Sequence, residues 1–313
     1  MDFKFTSGDA PKVEEEKVKV VFSGSFEDTP DIKELWIEEG IEEIAENAFR
    51  GFSNLEIIHL PKSLQQISAC AFAQCDNLRT VDMQYGIVEI QDEAFSSCPS
   101  LSSVIIPDSV KRIGEGAFEG CASLSRIKLS ESVLMIGASA FAFCFNLVDV
   151  TIPDSCVLVE FNAFAGCFAL ESVKLSENMG LIDESTFEGC RSLKIVDMPA
   201  RLTKIGRRAF KGCTSLSSLI LPVSVKEIGL DAFAECTALS RIAIPKGTRE
   251  LEDEEVFTCC DNLKEISFGG SETEWELLTH GRAITVERTD ATVFSPRVIC
   301  LNLKERGQSA NEV

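Results

Sequence analysis

The sequence predicts an α/β-type repeat solenoid, a coil of about ten 23-residue turns made mostly of short strands and tight turns, with a parallel β-sheet along one face. Three observations carry this. Phenylalanine recurs at Phe49, Phe72, Phe95, Phe118, Phe141, Phe164, Phe187, Phe210 and Phe233, always 23 residues apart, and Phe257 follows at 24. Six residues after each of these stands a leucine in all ten copies, from Leu55 to Leu263. Nine and eleven residues after stand two apolar columns, such as Val104 with Ile106 and Val150 with Ile152. A fixed period means that each unit is incomplete alone and buries its apolar side only by stacking on the next.

Each column has a physical reading. The apolar–x–apolar step, rich in β-branched residues, is the period of a short strand with one buried face. Proline often follows it, as at Pro61, Pro107, Pro153, Pro199, Pro222 and Pro245. It cannot continue a ladder, so it ends the strand at a corner. A second apolar pair, such as Val110 with Ile113 or Val225 with Ile228, precedes each phenylalanine and supplies inward residues on another side. Gly120, Gly166, Gly189 and Gly212 precede a cysteine and suit a tight backbone turn. Asn54, Asn77, Ser100, Ser123, Asn146 and Ser192 precede the leucine and suit local turn hydrogen bonds.

Cysteine stands three residues after the phenylalanine in nine copies, from Cys75 to Cys260, and Phe52 takes its place in the first. A metal or redox role calls for cysteines at short spacing such as Cys-x-x-Cys, which the chain lacks. The expected role is a ladder of small buried thiols, each offering a weak hydrogen bond to loop backbone. The cysteine total of 13 is odd. That speaks against a disulfide framework and for a reducing compartment or shielded thiols.

In chain order, residues 1–32 carry no repeat and are expected to be an N-terminal cap. They hold the acidic Glu14-Glu15-Glu16 and then Val18 to Phe22, which reads as a strand over the first coil. The solenoid is expected over 33–268, beginning with a strand at Leu35 and Ile37. A C-terminal cap follows over 269–307, with a helical turn at Thr273 to Leu278 that packs Trp275 on the last coil. Closing strands are expected at Ile284 to Val286 and at Val298 to Leu301, and a disordered tail over 308–313.

Composition excludes several functions. The net charge is −20, which disfavours nucleic acid, since that needs a basic stripe, and anionic membrane surfaces. Residues 1–46 alone hold 14 acidic and 5 basic side chains. Such a charge keeps exposed coil ends soluble and discourages end-to-end stacking. No apolar run suits a leader or a membrane span, so no membrane insertion is expected. The two histidines, His59 and His280, lie far apart, and each is expected to be a solvated surface group. The chain has no phosphate loop, zinc-protease helix or nucleophile elbow. No enzyme activity, cofactor, metal or small-molecule substrate is therefore expected.

The phrases Ile152-Pro153-Asp154-Ser155 and Ala163-Phe164-Ala165-Gly166-Cys167 resemble the BspA-like leucine-rich repeat, as does Leu221 to Phe233. The likeness spans about residues 33–268, and Gly270 to Trp275 is similar to that family's end segment. The resemblance implies a right-handed leucine-rich-repeat coil, and a bacterial surface or secreted protein of adhesion type that binds a protein partner. An intracellular scaffold is the alternative, favoured by the many cysteines and the missing leader. The candidate contact is the outward side of the sheet, centred on Arg126, Lys128, Asp149, Thr151 and Lys174. The outward columns from His59 and Ile57 onward hold no aromatic platform, which counts against sugar stacking.

Overall fold

The computed structural model describes residues 18–20, 32–252, 254–289 and 292–301. The Glu14–Glu16 stretch, the strand expected through Val21 and Phe22, and the tail over 308–313 lie outside the described residues.

The chain is a parallel β-solenoid of about ten turns. Each turn gives one strand of three or four residues, such as Ser103–Ile105, Arg126–Lys128, Asp149–Thr151, Ser172–Lys174 and Ile195–Asp197. Consecutive strands pair in parallel at the repeat offset, so Ser103 faces Arg126 and Ser172 faces both Asp149 and Ile195. Identical repeat positions therefore stack as columns, and the alternating burial of each strand becomes one buried and one exposed face. The hydrogen-bonded ladder is interrupted in places, including between Arg126–Lys128 and Asp149–Thr151.

A sheet along one wall was the expectation, and the structure adds a second. Two-residue strands such as Glu89–Ile90, Arg112–Ile113 and Met135–Ile136 also pair in parallel from turn to turn. Their sequence signal is a single buried residue per strand, too short for a period of two to show.

Between the walls runs the phenylalanine column. From Phe49 to Phe257 the rings stack in nine successive pairs, with centroids 5.1 to 5.9 Å apart and planes within 14°. Spacings above 5 Å fit offset stacking, which keeps ring faces from repelling. The backbone at this corner ties turns together. The N–H groups of Gly116, Phe118 and Gly120 donate to the carbonyls of Ala138, Ala140 and Ala142.

The cysteine ladder is buried as expected. Each of the nine thiols donates to the carbonyl of the phenylalanine one turn earlier, at 3.0 to 3.3 Å, as Cys144 does to Phe118. Burial pushes the thiols of Cys167 and Cys236 up to about 12 and raises those of Cys121, Cys144, Cys190 and Cys213 strongly. A thiol held protonated is a poor nucleophile and metal ligand, so the ladder is structural. All thirteen cysteines are free.

One local expectation changes, and one feature is added. The Asn77 side chain bonds no atom of its own turn; its amide donates to the carbonyl of Ser53 on the preceding coil, at 2.7 Å. Where proline is missing after the strand, buried Ser130 and Ser176 donate to Val110 and Cys156 of the turn before.

The end of the coil follows the sequence. A helix at Glu272–Leu278 starts on a capping box between Ser271 and Glu274, and buries Trp275 against Phe268, 5.2 Å between centroids. The strand Arg297–Cys300 adds in parallel to Glu265–Phe268. The strand expected from Ile284 is shorter: Val286–Glu287 pairs antiparallel with Val293–Phe294.

Candidate functional site

The outward side of the longer strands is built by alternation alone. Val150 and Val173 point inward and are buried, so Asp149, Thr151 and Lys174 must point out, and all three are exposed. Arg126 and Lys128 are exposed in the same way on the neighbouring turn. The five predicted residues thus lie on three consecutive strands. With strands ~4.8 Å apart they form one patch on the order of 10 Å across.

The electrostatics of this patch differ from those of the second wall. Among the described residues, Arg126, Lys128, Asp149 and Lys174 take part in no ion pair, although Lys174 faces Asp197 in register. On the second wall, Arg112 spans Glu89 and Asp92, and Lys204 meets Glu227 at 3.0 Å. Carboxylate and amide side chains there also reach between turns. Gln91 accepts from the Ala69 N–H, Glu160 from Ala138 and Glu252 from Leu230. Charges on that wall bind coil to coil, while those on the patch are left to solvent.

His59 corrects its expectation. It is half-buried, stacked on Trp36 at 3.7 Å, and its Nε2 lies 3.0 Å from a carboxylate oxygen of Glu34, with Asp82 at 3.8 Å on its other side. Trp36 occupies the same outward column one turn earlier, so that face does carry an aromatic at its N-terminal end. His280 is exposed, as expected.

Sequence reasoning missed a second feature beside the patch. Phe143, Phe145 and Phe168 are 46%, 39% and 36% exposed. Phe145 stacks on Phe168 at 4.9 Å and meets Phe143 edge-on at 6.2 Å. The Arg191 guanidinium lies 4.4 Å above the Phe168 ring. The signal was a break in the repeat. Two residues after the ladder phenylalanine the other turns hold Gly, Gln, Ser, Glu or Cys, and four residues after they hold Ser, Asp, Pro, Ala, Arg or Thr.

Among the described residues, no group of three or more His, Cys, Asp and Glu is placed to hold a metal ion. No helix among them is long and apolar enough to cross a membrane. A cavity of about 280 Å³ opens on the second wall, lined by both signs of charge, including Asp183, Lys204, Arg207 and Glu227.

The family model described as BspA type leucine rich repeat region matches residues 19–133, 88–202 and 180–277. No curated protein matches the chain. Solved structures are similar. One is a leucine rich cell surface protein from Faecalibacterium prausnitzii A2-165, 26% identical over 79% of this chain and 82% of that one, with a TM-score of 0.42. Another is a leucine-rich repeat protein from Bacteroides ovatus ATCC 8483, 24% identical over 91% of each chain, with a TM-score of 0.46. A third is a leucine rich repeat protein of T. pallidum, 25% identical over 66% of this chain and 77% of that one, with a TM-score of 0.44.

Proposed function

Because the chain belongs to the BspA-type leucine-rich repeat family, we propose that it is a non-enzymatic interaction module that holds a protein partner along the longer-strand face. Arg126, Lys128, Asp149, Thr151 and Lys174 form the centre of that contact. The observation that carries this reading is the contrast in charge use. These side chains are exposed and unpaired on three adjacent strands, whereas the second wall spends its charges on contacts between coils. Charges free of internal partners cost no internal ion pair when they bind across an interface, and they set orientation and encounter rate. Family membership supports the reading of a bacterial surface or secreted protein of adhesion type. The scaffold reading inside cells draws on the thirteen free thiols.

A photo-crosslinking side chain at Thr151, compared with one at Thr203 on the second wall, tests the face in extracts and on cells of the source. Thr151 captures a discrete protein and Thr203 does not. Reversing charge at Arg126, Lys128, Asp149 and Lys174 together then weakens affinity for the captured protein by at least roughly 10-fold. Capture from Thr203 alone, or affinity unmoved by the reversal, rules this face out.

A further inference from the structure

The aromatic ridge of Phe143, Phe145 and Phe168 is not needed by the repeat. In the other turns the same two columns are filled without a phenylalanine. The column two residues after the ladder phenylalanine has positive φ in every turn, 71–76° where glycine stands there and 60° at Phe143. That conformation belongs to the repeat, since Gln74, Ser97, Glu235 and Cys259 hold it too, and what is particular to this turn is the bulk of Phe143. The next turn makes room for it. Gly166 has no side chain, and a Cβ there would lie 2.7 Å from the Phe143 ring.

The ridge shares its turns with part of the cationic patch. Phe145 precedes Asp149 by four residues, and Phe168 precedes Ser172 by four, so both rings sit at the entry of the strands that carry Asp149 and Lys174. No lysine or arginine lies between Lys128 and Lys174 in the sequence. Along the coil, Arg126 and Lys128 stand one turn before Phe143, Lys174 stands on the turn of Phe168, and Arg191 lies over the Phe168 ring.

Resting on the interaction face described above, we infer that the partner presents an extended acidic segment carrying an aromatic or bulky apolar side chain. That side chain packs on the Phe143–Phe145–Phe168 ridge while the carboxylates meet Arg126, Lys128 and Lys174. Charge complementarity selects this occupant. In a chain of net charge −20 this region carries three cations in no ion pair, against Asp149 and, opposite Lys174 on the next strand, Asp197. A second copy of the chain would bring another −20 and be repelled as a whole. A neutral sugar would leave the cations unanswered. Central aromatic anchors ringed by polar contacts are the usual source of interface affinity.

The test uses the full chain and a fluorescein-labelled peptide of alternating Glu and Ser around one Trp, followed by anisotropy. Two control peptides replace the Trp with Ala or every Glu with Lys. The Glu/Trp peptide binds, and affinity falls by roughly 10-fold or more on loss of its Trp, with F145S/F168S protein, and with R126Q/K128Q/K174Q protein. All variants keep the wild-type melting profile. Absence of binding, equal binding of the Lys peptide, or wild-type affinity of F145S/F168S overturns the inference. If only the cation variant loses binding, the ridge fails while the face reading stands. If F145S/F168S loses binding but Thr151 captures no protein, the face reading fails instead. Sedimentation of the wild type as a dimer that F145S/F168S dissolves would assign the ridge to a second copy, and overturns the acidic partner.

Discussion

The two β walls of this solenoid come from one repeat, yet around the Arg126–Lys174 patch they use charge differently. On the two-residue-strand wall, Arg112 bridges Glu89 and Asp92, Lys204 pairs with Glu227, and Gln91, Glu160 and Glu252 cap backbone N–H groups of the turn before. On the other wall, Arg126, Lys128, Asp149 and Lys174 stand exposed without such ties, although elsewhere along it His59 meets Glu34, Lys33 meets Glu56 and Lys194 meets Glu171 across turns. Both walls rest on the same interior of stacked phenylalanines and thiols, so stability does not require the difference. A wall whose polar groups join neighbouring coils serves the rod. A patch whose charges face solvent is available to something else.

The comparison is broken most completely from the inside. Cys144 is fully buried and donates to the Phe118 carbonyl. Cys144→Asp places a charge there with no cation beside it and costs about 3–5 kcal/mol. Both walls then loosen together, which thermal melting and hydrogen exchange on either side of turn five report. A melting curve like the wild type's would show that the ladder is not closed to charge.

A change confined to one wall comes next. Gly137 approaches the preceding turn so closely that a Cβ would lie 2.6 Å from the Gly114 carbonyl carbon and the Glu115 nitrogen. Both are backbone and cannot swing aside. Gly137→Ala therefore forces the two turns apart and costs roughly 1–3 kcal/mol, the range for overpacking. Exchange rises around Arg112–Ile113 and Met135–Ile136, while the Arg126–Lys128 strand and its peptide binding change little. An equal rise on both walls would mean that they do not respond separately.

Much of this was legible in the sequence. The 23-residue spacing of the ladder phenylalanines gave the coil, because stacking forces identical positions into columns. The apolar–x–apolar step gave the longer strands, and from them the outward set at Arg126 to Lys174. The second ladder was hidden because a strand with one inward residue has no period. His59 was read as solvated because its column is outward, but Trp36 stands one turn away in space and 23 residues away in sequence. The ridge was missed for a related reason. Aligning copies shows what they share, and Phe143, Phe145 and Phe168 matter where the copies differ.

The smallest effects separate the walls most sharply. Arg112 is partly exposed and its two acidic partners are solvated, so screening reduces what the pairs contribute. Arg112→Gln lowers stability by less than about 1 kcal/mol, and the loss shrinks further in high salt. On the opposite wall the same chemistry at Arg126, Lys128 and Lys174 removes no ion pair, so the triple change to Gln leaves stability within roughly 0.5 kcal/mol of wild type. Its consequence falls on peptide affinity instead, where Arg112→Gln is silent. Denaturant melts paired with anisotropy on both variants check the crossing. A triple variant that lost more stability than Arg112→Gln would show those cations to be part of the scaffold, and the two walls would then differ in appearance only.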